Sequence, residues 1–377
     1  MIKTTNVITN EEALTAALRK HCGKLWTVLD LTGISVFNEK ARGGFMHFLY
    51  MIRKLFFPIF LHCNLLYLWY NIIERCYSKG EIDYADMIDV VVPPFSNILW
   101  WMVYTRRFAF KKFFNHIATT MSVTVVSQTR SMAHAINATL FLTLVYPSIM
   151  VMMMMLQKTK YKVSLGQFFR LVQEIIFPSI VGIMYTAICY LLLRNLQTFK
   201  NRFDKDLSFS SMITFTNLKK NYLDIVKGVE MFEDLFSAPV FIIVVESFCL
   251  VSIIIMDMMH RENWLSELWL EALFYLIFIF GTLGILTVYA GNIPLEMSRI
   301  KSVLLEKMSE QSNKDGLLCL EKQILYLMKK DAIVLTACNV FDFDRAFLLK
   351  ALISVIAHAV IIYQLGLSIS HSGKRNL

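Results

Sequence analysis

The sequence predicts an all-α, polytopic membrane protein, and three observations predict it: its composition, its long apolar runs and the placement of its basic residues. Of 377 residues, 56% are hydrophobic and only 18% are charged, and the mean hydropathy is +0.51. A soluble domain carries about 25% charge, so lipid is the solvent this composition suits. The chain holds 29 Phe, 15 Tyr and 21 Met but only 14 Gly and 7 Pro, which excludes collagen-like and disordered classes. A net charge of +9 does not call for nucleic acid as a partner, because cytoplasmic loops of membrane proteins collect Lys and Arg.

A helix needs about 20 mostly apolar residues to cross the roughly 30 Å hydrocarbon core. Seven stretches qualify: 55–73, 86–104, 133–156, 171–193, 239–259, 268–291 and 347–369. The fourth and sixth are the least interrupted, whereas the second contains Asp86, Asp89 and the pair Pro93-Pro94. Residues 1–54 mix Glu11, Glu12, Arg19, Lys20 and Lys24 with scattered apolar side chains, unlike a cleavable signal peptide, and are expected to form a cytosolic N-terminal region.

With seven spans the two ends lie on opposite sides, and basic residues decide which end is inside. The segments 1–54, 105–132, 194–238 and 292–346 hold 28 of the 38 Lys and Arg, and the alternate set holds 9. The positive-inside rule therefore puts the N-terminus in the cytosol and leaves a short extracellular tail, 370–377. One loop, 157–170, is discordant, with Lys158, Lys160, Lys162 and Arg170 on the outer side. This orientation is opposite to that of G-protein-coupled receptors.

The outer loops are short and the inner ones long, and segments of that length are seldom structureless in a compact protein. Apolar residues recur at helical spacing over 212–236 (Ile213, Leu218, Tyr222, Ile225, Val229, Phe232, Leu235) and over 295–331 (Ile300, Val303, Leu304, Leu317, Leu320, Ile324, Leu327). The spans are thus expected to extend into the cytosol as packed helices, with 292–346 the last such region before the seventh span.

No enzyme signature occurs: HExxH, GxxxxGK[ST], GxGxxG and GxSxG are all missing. The expectation is no catalytic residue, no metal and no cofactor. Seven cysteines, an odd number, form no CxxC pair and no disulfide framework. His62, His134 and His358 lie in different spans, and the four methionines of 152–155 point four ways round a helix. Asn137-Ala-Thr139 matches the glycosylation pattern but lies inside a span.

Ionisable groups inside a membrane are functional candidates by default. Glu246 lies mid-span, open to a structural or a functional role. Asp86, Asp89, Glu174, Asp257 and Glu271 fall near the outer ends of their spans, at a depth similar to Tyr146, Met150, Phe177, Trp269, Phe274 and Tyr275. Aromatic walls with a few carboxylates suit an amphipathic or cationic small molecule; Trp and Tyr also favour the headgroup level without any ligand. The candidate pocket comprises Tyr146, Met150, Glu174, Phe177, Asp257, Trp269, Phe274 and Tyr275.

The end of the chain is the most informative stretch. Ala337-Cys338-Asn339-Val340-Phe341-Asp342-Phe343-Asp344 leads into FLLKALISVIAHAVIIYQLGLSIS. Here the sequence resembles the insect gustatory receptor family, whose last span carries TYhhhhhQF after a stretch like A-C-G-x-F-x-h-D. Ala357 and His358 stand for Thr-Tyr, residues 359–363 fill the hydrophobic five, Gln364-Leu365 matches Gln-Phe, and Asn339 replaces Gly. Length, topology and loop pattern agree with the family; insect odorant receptors share the architecture. The resemblance implies a ligand-gated, non-selective cation channel in the plasma membrane of chemosensory neurons, a homo- or heterotetramer among membrane lipid. In it residues 55–291 form the ligand-binding bundle, 292–346 the cytosolic anchor and 347–369 the pore-lining helix. Gln364 and Leu365 would stand at the gate, with Ile361 and Ser368 on the pore face. Sugar-sensing members keep an acidic residue where Ala359 stands, so the implied ligand is a bitter or other aversive tastant. An odorant-receptor-like subunit is the alternative; a transporter would show inverted repeats, and none is found.

Overall fold

The computed structural model describes residues 24–35, 44–79, 90–120, 130–156, 165–205, 212–260, 269–311, 332–344 and 346–373. The first helices are α1 (Lys24–Leu31), α2 (Gly44–Lys79), α3 (Pro93–Thr105), α4 (Arg107–Thr120) and α5 (Arg130–Leu156). A π-helical turn, Val172–Ile176, joins α6 (Leu165–Leu171) to α7 (Phe177–Lys205). Helices α8 (Met212–His260) and α9 (Trp269–Gln311) follow, then an antiparallel hairpin of β1 (Thr336–Ala337) and β2 (Phe341–Asp342), and finally α10 (Phe347–Gly373).

Apart from a bend at Val92, every described part of the seven apolar stretches is helical. Lipid offers no partner for a free N–H or C=O, and an α-helix satisfies its backbone internally. Five helical segments among the described residues are long and apolar enough to cross a membrane: Met51–Ser78, Ser131–Met153, Phe168–Phe203, Lys219–Met256 and Ala272–Glu306. The second and seventh crossings rest on the sequence: α3 has 13 residues, and in α10, 27 residues long, the apolar stretch described without interruption is Phe347–Ala357. The chain is therefore a helical membrane protein in which α7 is the axis. Its apolar window is 78% buried against 22% for α2, and it packs on α9, α8, α5 and α3.

The expected inner helices are present where described. Helix α8 runs 49 residues, about 74 Å at 1.5 Å per residue, unbroken through Pro239. Its stripe of Tyr222, Ile225, Val229, Phe232 and Leu235 is buried. Helix α9 continues past Pro294 to Gln311 with Ile300 and Leu304 buried; residues 312–331 lie outside the described residues.

The hairpin is a finding the sequence did not announce. Val340 N–H closes a turn on the Ala337 carbonyl at 3.0 Å, with Cys338 at φ 53° and Asn339 at φ 56°. Positive φ at both central residues of the 337–340 turn is the geometry of a primed turn, and the register Ala337↔Phe341 leaves three residues, 338–340, in the connection. Side chains of α8 hold it: Glu233 Oε1 accepts from Thr336 N at 3.0 Å and from its hydroxyl, and Ser237 Oγ accepts from Cys338 N at 2.8 Å. On the other side α9 presents Gly291, where a Cβ would lie 2.9 Å from the Phe343 carbonyl oxygen. Phe343 is buried against Tyr185 and Phe347. The start of α10 is thereby fixed to both α8 and α9.

Candidate ligand site and ion-path helix

The candidate pocket residues divide into two groups. Tyr146 and Met150 of α5 and Tyr275 of α9 are buried. The Tyr146 ring stacks on Phe278 at 4.2 Å and meets Tyr275 edge-on at 6.3 Å. Phe177, at the start of α7, is buried against Phe57 of α2 at 5.5 Å, and Phe274 is 38% exposed on the outside of α9. Glu174 is buried in the π turn, where its carboxylate accepts from Arg170 Nε at 2.8 Å. Asp257 and Trp269 belong to α8 and α9, and their side chains lie outside the described residues, as do Asp86 and Asp89. The structure thus brings Tyr146 and Tyr275 into contact, while Phe177 and Glu174 lie on a different wall.

That wall is organised by the π turn. Pro178 has no N–H, so the α-helical bond to the Glu174 carbonyl cannot form, and a widened turn of i→i+5 geometry precedes the proline. Neighbouring helices supply donors to carbonyls in the turn and just ahead of it: Ser96 Oγ of α3 donates to the Gln173 carbonyl at 2.9 Å, and Asn64 Nδ2 of α2 to that of Phe169 in α6 at 3.3 Å. The Gln173 side chain accepts from Asn64 at 2.5 Å and donates at 3.0 Å to both the Pro93 carbonyl and Asn97 Oδ1. Ser96 Oγ also lies 3.2 Å from Glu246 Oε1 of α8. One network therefore ties α2, α3, the π turn and α8 together. Glu246 Oε2 and Asn97 Nδ2 are buried without hydrogen-bond partners among the described residues, which leaves one acceptor and one donor open.

Asn64, Ser96, Asn97 and Gln173 were not singled out from the sequence. A single amide or hydroxyl in a span is common as a packing contact. The signal that does mark the site is a polar run, Arg170 with Gln173-Glu174, immediately ahead of Pro178 in an otherwise apolar helix.

Two cavities open beside this network. The larger, about 620 Å3, lies between α2 and α6; six rings (Phe56, Phe57, Phe60, Tyr67, Phe168, Phe169) with Cys63 and Val172 surround the lone amide of Asn64. The second, about 450 Å3, shares Phe56 and Phe57 and reaches Ile176 and Ile180 along the same face of the helix. Both volumes fall in the range of small-molecule sites, which are mostly apolar with a few polar groups. No cluster of three or more His, Cys, Asp or Glu suited to a metal occurs among the described residues.

Helix α10 has one buried face, Phe347, Ala351 and Val355. The opposite side leaves Leu349 62%, Ile353 59%, Val360 39% and Ile361 53% exposed, and Gln364 is exposed too. At 100° per residue Gln364 continues the stripe of 353, 357 and 360, and Leu365 is turned about 100° away from it. The side chains of His358, Leu365 and Ser368 lie outside the described residues. At the helix entrance Lys350 Nζ donates to Asp344 Oδ2 at 2.7 Å, which holds that carboxyl below its ordinary range.

No family model matches the sequence, and neither does any curated protein. Solved structures do match. The insect olfactory receptor OR5 from Machilis hrabei in complex with eugenol superposes with a TM-score of 0.70 at 11% identity, over 93% of this chain and 99% of that one. A second structure of the same receptor superposes with a TM-score of 0.67 at 12% identity, over the same shares. Both are receptors, and at such identity the likeness is one of fold. Over 93% of its length the chain shares the fold of an insect olfactory receptor.

Proposed function

We propose that the chain is one subunit of a ligand-gated, non-selective cation channel of the insect gustatory type, opened by an external tastant of the bitter or otherwise aversive class. The observation that carries this reading is the superposition over 93% of the chain on an insect olfactory receptor, joined to the gustatory-type end of the sequence around Gln364. In this reading seven spans place the N-terminus in the cytosol, and four subunits, identical or mixed, surround a central pore in the plasma membrane of chemosensory neurons. Helix α10 lines that pore, its exposed apolar stripe turned to the axis and to neighbouring subunits. Rings of Ile361 and Leu365 close it by dewetting, while Gln364 and Ser368 present polar groups to the permeant cation.

The ligand pocket is the outer part of the bundle, with Tyr146, Met150, Glu174, Phe177, Asp257, Trp269, Phe274 and Tyr275 as its candidate lining. A molecule there presses on the π turn, whose network reaches Glu246; α8 then carries the displacement to Glu233 and Ser237 and so to the hairpin ahead of α10. An odorant-like ligand is the second reading. The observation that favours it is the aromatic lining around Asn64, which suits a small aromatic phenol such as the eugenol held by the Machilis hrabei receptor.

Whole-cell recording tests the channel. Cells expressing the chain, alone or with co-expressed gustatory subunits, are exposed to bitter compounds and to eugenol. The expected result is an inward current that vanishes when external cations are replaced by an impermeant one. A second-messenger response surviving that replacement would overturn the channel reading. A current evoked by eugenol alone would select the odorant-like alternative.

A further inference from the structure

No Asp or Glu occurs between Asp89 and Glu174, and within that stretch Arg106, Arg107, Lys111 and Lys112 gather where α3 passes into α4. At 100° per residue Phe108, Lys111, Lys112 and Asn115 share one side of α4, while Phe110, Phe113, Phe114 and Ile117 share the other. The second side is buried: Phe110 meets Phe236 of α8 at 5.1 Å, and Phe113 meets Phe232 at 6.0 Å. The first side is turned outward, with both lysines exposed and Phe108 72% exposed.

Two observations set this side apart from an ordinary solvated charge run. The first is that Arg107 is held in place by stacking: its guanidinium carbon lies 4.1 Å from the centre of the Tyr104 ring and 4.8 Å from that of Phe108. Such contacts orient the guanidinium plane and leave its N–H groups for an anion. The second is that the charge is uncompensated. Among the described residues Arg107, Lys111 and Lys112 make no ion pair and no side-chain hydrogen bond. Arg106 Nη1 donates to the backbone carbonyls of Asp234 and Leu235 at 3.2 and 2.8 Å, which ties the junction to α8. The Asp234 carboxylate is exposed and pairs with none of the four basic groups among the described residues.

Position selects the ligand. Only Arg106 separates α4 from α3, whose Trp101 is 50% exposed, so the basic side begins where the second span ends, at headgroup depth. An acidic protein that grips basic amphipathic helices needs their apolar side, and that side of α4 is already buried on α8. A soluble polyanion would answer the lysines but leave Phe108 uncovered. A phospholipid answers both, because its phosphate carries the charge and its chains the apolar surface. We propose that the outward side of α4 binds the headgroup of an anionic phospholipid in the adjacent leaflet, with Arg107, Lys111 and Lys112 on the anionic groups and Phe108 at the acyl boundary. The proposal rests on residues 86–104 forming the second span and does not depend on ion conduction.

The test uses the full chain, purified in a neutral detergent, and reads energy transfer from tryptophan to dansyl-phosphatidylserine, with dansyl-phosphatidylcholine as the neutral counterpart. Trp100 and Trp101 place donors close to the site. The expected result is an affinity for phosphatidylserine about tenfold or more above that for phosphatidylcholine, falling as salt is raised. Lys111→Gln with Lys112→Gln should lower the phosphatidylserine affinity about tenfold and leave the unfolding midpoint in place, since both side chains are exposed. The same exchange at Lys220 and Lys227, exposed on α8, should change it by less than about twofold. Phe108→Ser, which removes no charge, should weaken binding as well. Equal affinity for the two lipids, equal losses from the two lysine pairs, or unchanged binding in Phe108→Ser would overturn the proposal. Full displacement by millimolar inorganic phosphate would overturn it too, in favour of a site for soluble anions. None of these outcomes bears on the channel reading, which is scored by current.

Discussion

Asn339 adopts φ 56° in the turn ahead of α10, a region that Gly enters freely, that Asn tolerates and that costs other residues about 1–2 kcal/mol. Where the gustatory-type pattern has Gly, this chain keeps the backbone with the next best residue. The Asn339 backbone adds a contact of its own, its N–H donating to Thr336 Oγ1 at 3.3 Å. Asn339→Gly is therefore expected to unfold close to the parent temperature, and Asn339→Val to lose about 1–2 kcal/mol, both read by thermal unfolding of the purified protein. Gln364 is a different kind of residue, since it is exposed and its proposed role is in the ion path. In the proposed tetramer, replacing four neutral amides by four ammonium groups at one depth of a narrow pore repels cations. Gln364→Lys should accordingly remove most of the ligand-evoked inward current while surface expression persists. Unchanged conductance would take Gln364 out of the pore.

At the scale of elements, α9 offers a controlled comparison within a single helix. A Cβ on Gly291 would stand 2.9 Å from the Phe343 carbonyl oxygen, backbone that cannot swing aside, whereas a Cβ on Gly281 meets nothing within 4 Å. Gly→Ala inside a helix is worth roughly 0.5–1 kcal/mol in favour of Ala, and overpacking costs about 1–3 kcal/mol. Gly281→Ala is thus expected to be neutral or stabilising, and Gly291→Ala to destabilise and to disturb gating, because it separates the hairpin from α9. Thermal midpoints of the two proteins decide it; equal midpoints would mean that α9 and the hairpin adjust independently. The long helices were legible because hydropathy over about 20 residues survives any local detail. The inner part of α8 was legible because its apolar residues kept helical spacing. The hairpin was not, since strands of two residues leave no period to read, and the π turn was not, since its cause is a missing N–H at Pro178 and no change in hydropathy. Of the candidate site, aromatic residues such as Tyr146 and Tyr275 could be named from depth alone, but the polar network could not. Asn64, Ser96 and Gln173 come together only when three helices pack.

On the scale of the whole molecule, a fold shared over 93% of the chain at 11% identity shows how little sequence a bilayer requires of its helices. Apolar runs of the right length, small or kinked positions where helices meet and a few internal hydrogen bonds suffice. The same latitude is why ligand class is so weakly written in the sequence while architecture is plain. In the proposed assembly, what the monomer leaves exposed bears on where subunits meet. Apolar side chains are exposed on α2, as with Phe56 at 69% and Leu66 at 63%, and on α10, as with Leu349 at 62% and Ile353 at 59%. Lipid can cover either surface, but α10 ends in the Gln364 segment, and a polar residue on a lipid-facing stripe is costly. The economical arrangement turns α10 toward a central axis and leaves α2 at the periphery. Single cysteines at Ile353 or Ile361, in a chain whose native cysteines have been replaced, should then cross-link into dimers under mild oxidant. A cysteine at Phe56, exposed on α2, should stay monomeric at the same protein-to-lipid ratio, because peripheral helices of one assembly do not meet. Cross-linking through Phe56 with none through α10 would reverse the arrangement, place α2 at the subunit contacts and remove the basis for assigning the pore to the last helix.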